Sequence, residues 1–412
     1  MQDIIKYIRS ISSYCFDMER IDNQVNLYAG KPGIAIFFAH LYKLTKEENY
    51  QKYSYSLMSD SINEIKSLST QHSLAGISGT IWALHHLVNV NFFEYNEIKP
   101  YSLHLKSRII STIDFETTNL DYDLMYGFIG KLIALREIYH SNNQENREVV
   151  NLLSQSVHHL YDIAVQEGES MIYWTSPHNK RLVITGMAHG ISSIIWYLSK
   201  IIKDNILDEF TTNLAVKLVR KAANWLTDRG VNINKNELCV PKKIYLDNHS
   251  KLIPEYRLAW CQGDLGVAVA LISASEATDD QSLFKQGLSI IENISSLGIE
   301  SIKLRDSNHT DSTICHGTFG IFLIFYLLHK KTGSKKLELA YQYWLERILR
   351  EFDPSKDYCN LVYAYFNEQQ QITWNNSPGL LNGLSGNGLV LLTYYLRERG
   401  IIAQYNWFDI FI

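Results

Sequence analysis

The chain has 412 residues, enough to bury one large core or two ordinary ones. Seven prolines and 20% charged residues leave little material for linkers or disordered tails. A net charge of −4 gives no electrostatic reason to bind nucleic acid or an anionic membrane surface.

The opening MQDIIKYIRSISSYCFDMER carries acids early and lacks an apolar centre, so it does not read as a signal peptide. From there a single pattern recurs seven times: two glycines three apart, then an apolar helical run. The copies begin at Gly30 and Gly33, Gly76 and Gly79, Gly127 and Gly130, and Gly190 with Ser193 in the second place. They continue at Gly263 and Gly266, Gly317 and Gly320, and Gly383 and Gly386. Self-similarity of this kind takes precedence over local propensity. The runs after the glycines are apolar nearly all round, which suits buried helices. More polar helical segments lie between them, as at 46–68 and 147–168. Apolar and amphipathic helices alternating seven times predict an all-α closed ring of seven inner and seven outer helices. The glycine ends of the inner helices would gather at one mouth. An open solenoid obeys the same nearest-neighbour physics but needs a polar capping repeat, and the last copy is as apolar as the middle ones.

Two stretches interrupt the rhythm. Residues 169–185 contain a strand-like piece, and residues 230–256, rich in turn formers, read as an inserted hairpin or loop. With no Pro/Gly/Ser-rich divider, residues 1–412 are expected to form a single domain with these small β-containing insertions. The longest apolar stretches, such as 321–328, fall far short of the ~18 residues a bilayer span needs. A cytoplasmic protein is expected. There, five scattered cysteines (Cys15, Cys239, Cys261, Cys315 and Cys359) are ligands or catalysts sooner than disulfide partners.

The chemistry gathers at the repeat heads. Cys261 and Cys315 each stand two residues before the first glycine of their copies, while His189 and His316 stand one residue before it. Other copies hold Tyr28–Ala29, Leu74–Ala75, Met125–Tyr126 and Leu381–Asn382 in those places. Equivalent points of neighbouring copies lie at one height in a ring, so the four residues should converge. Two thiolates and an imidazole are a zinc donor set that leaves the fourth tetrahedral position open. Taken alone, a Cys-His dipeptide is usually accidental; its equivalence with Cys261 gives it weight. A substrate thiol at such a site would be ionised yet nucleophilic, which favours alkylation or conjugate addition over hydrolysis. His189 could then protonate the resulting carbanion. Asp123 and Arg257, upstream of the third and fifth heads, could orient that histidine and stabilise an enolate oxygen. Charged residues in such loops are, however, commonly only solvated.

These residues resemble those of the lanthionine synthetase C-like (LanC) family. The similarity lies in GMAHG (186–190), RLAWCQG (257–263), CHG (315–317) and LLNGLSGNGL (380–389), and it runs through all seven copies. The resemblance implies an α/α toroid with zinc on Cys261, Cys315 and His316, His189 as acid/base, and Asp123 and Arg257 in the active site. Asp121 is two residues from Asp123 and competes for that place. Met187 stands where Leu is common, Gln262 where Tyr is common, and Ser193 replaces a glycine; these bear on substrate preference more than on activity. The implied reaction adds precursor-peptide cysteine thiols to dehydroalanine or dehydrobutyrine, forming lanthionine or methyllanthionine rings. The family further implies a stand-alone cyclase working with a separate dehydratase and a peptide exporter, peripheral to a membrane-associated complex. A LanC-like enzyme adding glutathione to dehydrated residues, a zinc prenyltransferase-like alkylator, and a non-catalytic peptide-binding helical scaffold are the alternatives.

Overall fold

Two kinds of helix alternate along the chain because two kinds of sequence do. The computed structural model describes residues 2–16, 25–65, 73–116, 121–141, 146–230, 239–247, 256–302, 309–369, 371–401 and 406–412. In chain order the helices are α1 (Gln2–Phe16), α2 (Lys31–Thr45), α3 (Glu48–Ile65), α4 (Ile77–Asn89) and α5 (Tyr95–Ile110). There follow α6 (Phe128–Ser141), α7 (Arg147–Asp162), α8 (Ile191–Lys203), α9 (Glu209–Gly230) and α10 (Asp264–Thr278). The last four are α11 (Gln281–Asn293), α12 (Thr318–Thr332), α13 (Lys335–Glu351) and α14 (Leu384–Arg397). The even-numbered helices follow the repeat glycines and are buried along most of their length; every residue of α10 from Asp264 to Ser275 is buried. The odd-numbered ones bury one stripe: in α11 it is Leu283, Gly287, Ile290 and Ile291, the 3.6-residue period of a helix with one wet face.

The inner helices form a closed toroid. Each packs on the next, and α14 returns to α2, while the first outer helix, α1, covers the last inner one. The second glycine of the repeat makes this spacing possible. A Cβ on Gly79 would stand 2.6 Å from Leu27 Cβ of the preceding head, and one on Gly33 would stand 2.6 Å from Leu380 Cβ of the seventh. The same close approach therefore seals the ring where the chain's two ends meet. In the fourth copy Ser193 is buried and its hydroxyl donates to Gly190 O at 2.7 Å.

The strands are few and peripheral: β1 (Val165–Glu167), β2 (Met171–Tyr173), β3 (Leu182–Ile184), β4 (Lys243–Tyr245), β5 (Tyr363–Phe366) and β6 (Ile372–Asn375). β1 pairs with β2, β3 with β4 and β5 with β6, all antiparallel. Of the stretch 230–256, expected to be an inserted hairpin or loop, β4 joins β3 from the other insertion, with Val183 opposite Ile244. Residues 231–238 and 248–255 of that stretch lie outside the described residues. The β5–β6 hairpin was not foreseen.

The end of the chain fills the ring's interior. Trp407, Phe408, Ile410 and Phe411 are buried. Trp260 Nε1 donates to Phe411 O (2.7 Å), Trp407 Nε1 to Thr393 Oγ1 (2.8 Å) and Lys200 Nζ to Asp409 Oδ1 (2.6 Å). Residues of well-separated copies thus close on one segment. No helix among the described residues is long and apolar enough to cross a membrane.

Candidate metal centre and acid–base pair

Each inner helix is preceded by a tight turn, and adjacent turns are tied together by main-chain hydrogen bonds. Ala188 N donates to Cys261 O (3.0 Å) and Cys261 N to Cys315 O (3.2 Å). Ile314 N donates to Leu381 O (3.1 Å) and Leu381 N to Tyr28 O (2.8 Å). The cysteine-bearing heads are therefore direct neighbours, and their place in the repeat sets their spacing. Gly263, which starts α10 two residues after Cys261, has φ +126° and its Cα faces Arg257 O so closely that only glycine fits. That turn aims the cysteine at its neighbours.

Sγ of Cys261, Sγ of Cys315 and a ring nitrogen of His316 all lie within 4.8 Å of one another. Cys261 Sγ is 4.0 Å from His316 Nδ1. Tetrahedral zinc with bonds of about 2.0–2.3 Å needs donor separations of roughly 3.5–3.8 Å, so the set could hold a metal after a small contraction. Among the described residues no further Cys, His, Asp or Glu joins the group. The contact with Cys315 and then, against burial, His316 push the Cys261 pKa well down. The same contact, with burial, pushes that of Cys315 up. Partial burial of the His316 ring opposes its charge, yet Asp311 and Cys261 raise its pKa to about 9.

His189 lies at the same mouth, its Nδ1 2.6 Å from Asp123 Oδ2. Burial opposes protonation of this imidazole, but Asp123 outweighs it, with a smaller contribution from Cys261, and the pKa is raised. Asp123 is itself fixed: its other oxygen accepts from Met125 N (2.6 Å) and Tyr126 N (2.9 Å) in the turn before α6. Asp121 instead faces the exposed His178 at 3.4 Å. Arg257 is half-buried, and its charge acts on both Cys261 and Cys315. The structure thus brings Cys261, Cys315, His316, His189, Asp123 and Arg257 to one end of the ring.

The sequence profile of the lanthionine synthetase C-like proteins matches residues 22–404. The chain belongs to that family. No curated protein matches this LanC-like chain in sequence. Among solved structures it is similar to nisin cyclase, with a TM-score of 0.65 and 19% identity over 100% of this chain and 96% of that one. An unsaturated glucuronyl hydrolase specific for heparin follows at TM-score 0.47 and 11% identity, covering 98% of both chains. At 19% identity the nisin cyclase match shows the toroid fold of the LanC-like chain, and the weaker match carries no argument.

Two neighbours of the LanC-like site escaped the sequence reading. Tyr126 stacks on His189, with ring centroids 6.0 Å apart and planes 11° from parallel. It holds the place in the third copy that His189 and His316 hold in theirs, a signal present in the sequence. Asp311 stands six residues before Gly317, as Asp121 stands before Gly127 and Arg257 before Gly263. Its carboxylate lies 3.2 Å from His316 Nε2.

Proposed function

We propose that this LanC-like protein is a zinc-dependent lanthipeptide cyclase. It adds cysteine thiols of a dehydrated precursor peptide to dehydroalanine or dehydrobutyrine and so forms (methyl)lanthionine thioether rings. One observation carries the reading: the Cys261–Cys315–His316 donor set and the Asp123–His189 pair share one mouth of the ring. The donor chemistry suits zinc: two thiols and one imidazole, with no fourth side chain competing for the open position among the described residues. Zinc held there supplies positive charge that ionises an incoming thiol near neutral pH.

The remaining steps fall to the protein's own side chains. Asp123 occupies His189 Nδ1, which leaves Nε2 to meet the substrate, and it favours the charged imidazole. His189 then gives its proton to the α-carbon of the enolate that sulfur addition creates. Arg257 stabilises the enolate oxygen; its charge already acts on both thiols. Tyr126 lies parallel to one face of His189. By the same reading the protein is cytoplasmic and acts on a peptide that has already been dehydrated.

The test combines metal analysis with a mass-resolved cyclisation assay in which unreacted thiols are blocked. About one zinc per chain and loss of unblocked thiols without mass change are expected for the wild type. Cys315→Ala should lose both metal and ring formation. Added glutathione separates the rival enzyme, which would yield a mass increase on the peptide. Metal-free wild type protein would refute the proposal.

A further inference from the structure

His316 presents two ring nitrogens to two different neighbours. Nδ1 faces Cys261 Sγ at 4.0 Å, and Nε2 faces Asp311 Oδ2 at 3.2 Å. An imidazole ligates a metal through a nitrogen that carries no proton, so the group at the other nitrogen decides whether the ligand is ready. Asp311 is buried and anchored on both oxygens. Oδ1 accepts from Thr313 N (2.8 Å) and Thr313 Oγ1 (2.6 Å), and Oδ2 accepts from Ala364 N (3.0 Å) at the start of the β5–β6 hairpin. Thr313 Oγ1 in turn accepts from His316 N at 3.2 Å.

The turn itself does not call for an acid at this position. Ile184, Arg257 and Ser377 stand six residues before their own first glycines, as Asp311 does. Each brings its backbone carbonyl against that glycine, as Asp311 also does. The backbone geometry is therefore common to the copies, while at this position a buried carboxylate facing a histidine belongs to the sixth copy. The acid at the equivalent point of the third copy, Asp121, faces exposed His178 instead.

From this we infer that Asp311 is a positioning residue for the metal centre. It accepts a hydrogen bond from His316 Nε2–H, which keeps the proton on that nitrogen and leaves the Nδ1 lone pair on the side of Cys261. Through Ala364 it also couples the ligand to the β5–β6 hairpin. This inference rests on the metal site proposed above. Asp311→Asn is the sharp probe, because the amide keeps the size but has one acceptor oxygen where the carboxylate serves donors on both sides. Whichever way it turns, an NH2 group confronts a donor.

Zinc affinity is measured by chelator competition on wild type, Asp311→Asn and Thr313→Val, with circular dichroism and thermal unfolding to verify folding. 15N-histidine spectra of the zinc-loaded proteins give the state of His316. The wild type should show His316 ligated through Nδ1, with an Nε2 proton protected from solvent exchange. Asp311→Asn should bind zinc about 10–100-fold more weakly and lose that protection. Thr313→Val, which disturbs the turn but leaves the carboxylate facing the ring, should change affinity by less than about 3-fold. Wild type that binds no zinc removes the metal site and this inference together. Zinc bound equally by wild type and Asp311→Asn, or weakened equally by both variants, overturns this inference and leaves the site standing.

Discussion

Replacing His189 with alanine separates proton delivery from metal binding. The substitution removes the imidazole that Asp123 holds at 2.6 Å but touches none of the three donor atoms at 261, 315 and 316. Nor does it free the turn before α6, because Asp123 Oδ1 keeps Met125 N and Tyr126 N. The stability cost is that of leaving Asp123 Oδ2 without its partner, about 1–3 kcal/mol and toward the low end because the imidazole is partly exposed. A general acid is worth roughly 10²- to 10⁴-fold in rate, or about 2.7–5.4 kcal/mol in barrier. Single-turnover cyclisation, followed by mass after thiol blocking, should fall by that range while zinc content stays at the wild type level. The pH profile adds a sign. Burial opposes charge on His189 but Asp123 raises its pKa, so the proton donor persists above the ordinary histidine range. Wild type rate should decline as pH rises through that raised value, and the decline should vanish in the variant. The folding contribution of the pair follows the same direction: present in full below the unfolded pKa of about 6.5 and lost through the folded one. A His189→Ala enzyme within about 3-fold of wild type would refute this assignment.

Two further substitutions test the frame around the site. Gly263→Ala places a Cβ 1.9 Å from Arg257 O in a residue at φ +126°, so about 3 kcal/mol or more of destabilisation is expected in denaturant unfolding, together with weakened metal binding. Asp264 is buried; Oδ1 accepts from Cys239 N and Val240 N while Oδ2 has no hydrogen-bond partner among the described residues. Burial raises its pKa to about 7 from 3.8, a gap that costs up to roughly 4 kcal/mol once the group is ionised above that pH. Because the folded pKa is raised, stability falls as pH climbs from about 4 toward 7. Asp264→Asn keeps one acceptor oxygen, so it should stabilise by about 1–3 kcal/mol at pH 8 and by much less at pH 5. An equal shift in melting temperature at both pH values would count against this account.

The ring was legible because its signal repeats. Seven glycine-headed apolar runs overdetermine the inner helices, and Gly33 against Leu380 supplies the closure that the apolar last copy implied. The candidate site was legible where chemistry sat in the repeat's own frame, as with Cys261 and Cys315. It was less so one layer out. Choosing between Asp123 and Asp121 required knowing which carboxylate the turn directs at His189, and only coordinates give that. Asp311 lay hidden because its position, six residues before the glycine, is filled by Ile184, Arg257 or Ser377 elsewhere, so side-chain type alone marks nothing. The β5–β6 hairpin and the buried C-terminal segment lack a repeated counterpart, and a short aromatic run such as Trp407–Phe408 carries no period to read.

Confinement of the site's cysteines and histidines to copies four, five and six has a geometric cause. Main-chain hydrogen bonds bind each of these heads to the next: Ala188 to Cys261 and Cys261 to Cys315. Only neighbouring heads bring side chains within the few ångströms that a metal's ligands must share. A donor set built from single residues of alternate heads would span the mouth instead of closing on one point. Placing two donors on one head, Cys315 with His316, and the third on its neighbour meets the distance limit with two copies. That leaves the next copy free to carry His189, and the copy beyond it to carry Asp123, 2.6 Å from that imidazole. On the proposed reading, the repeat thereby sets the order of the chemistry around the rim, from metal to proton donor to the acid that orients it.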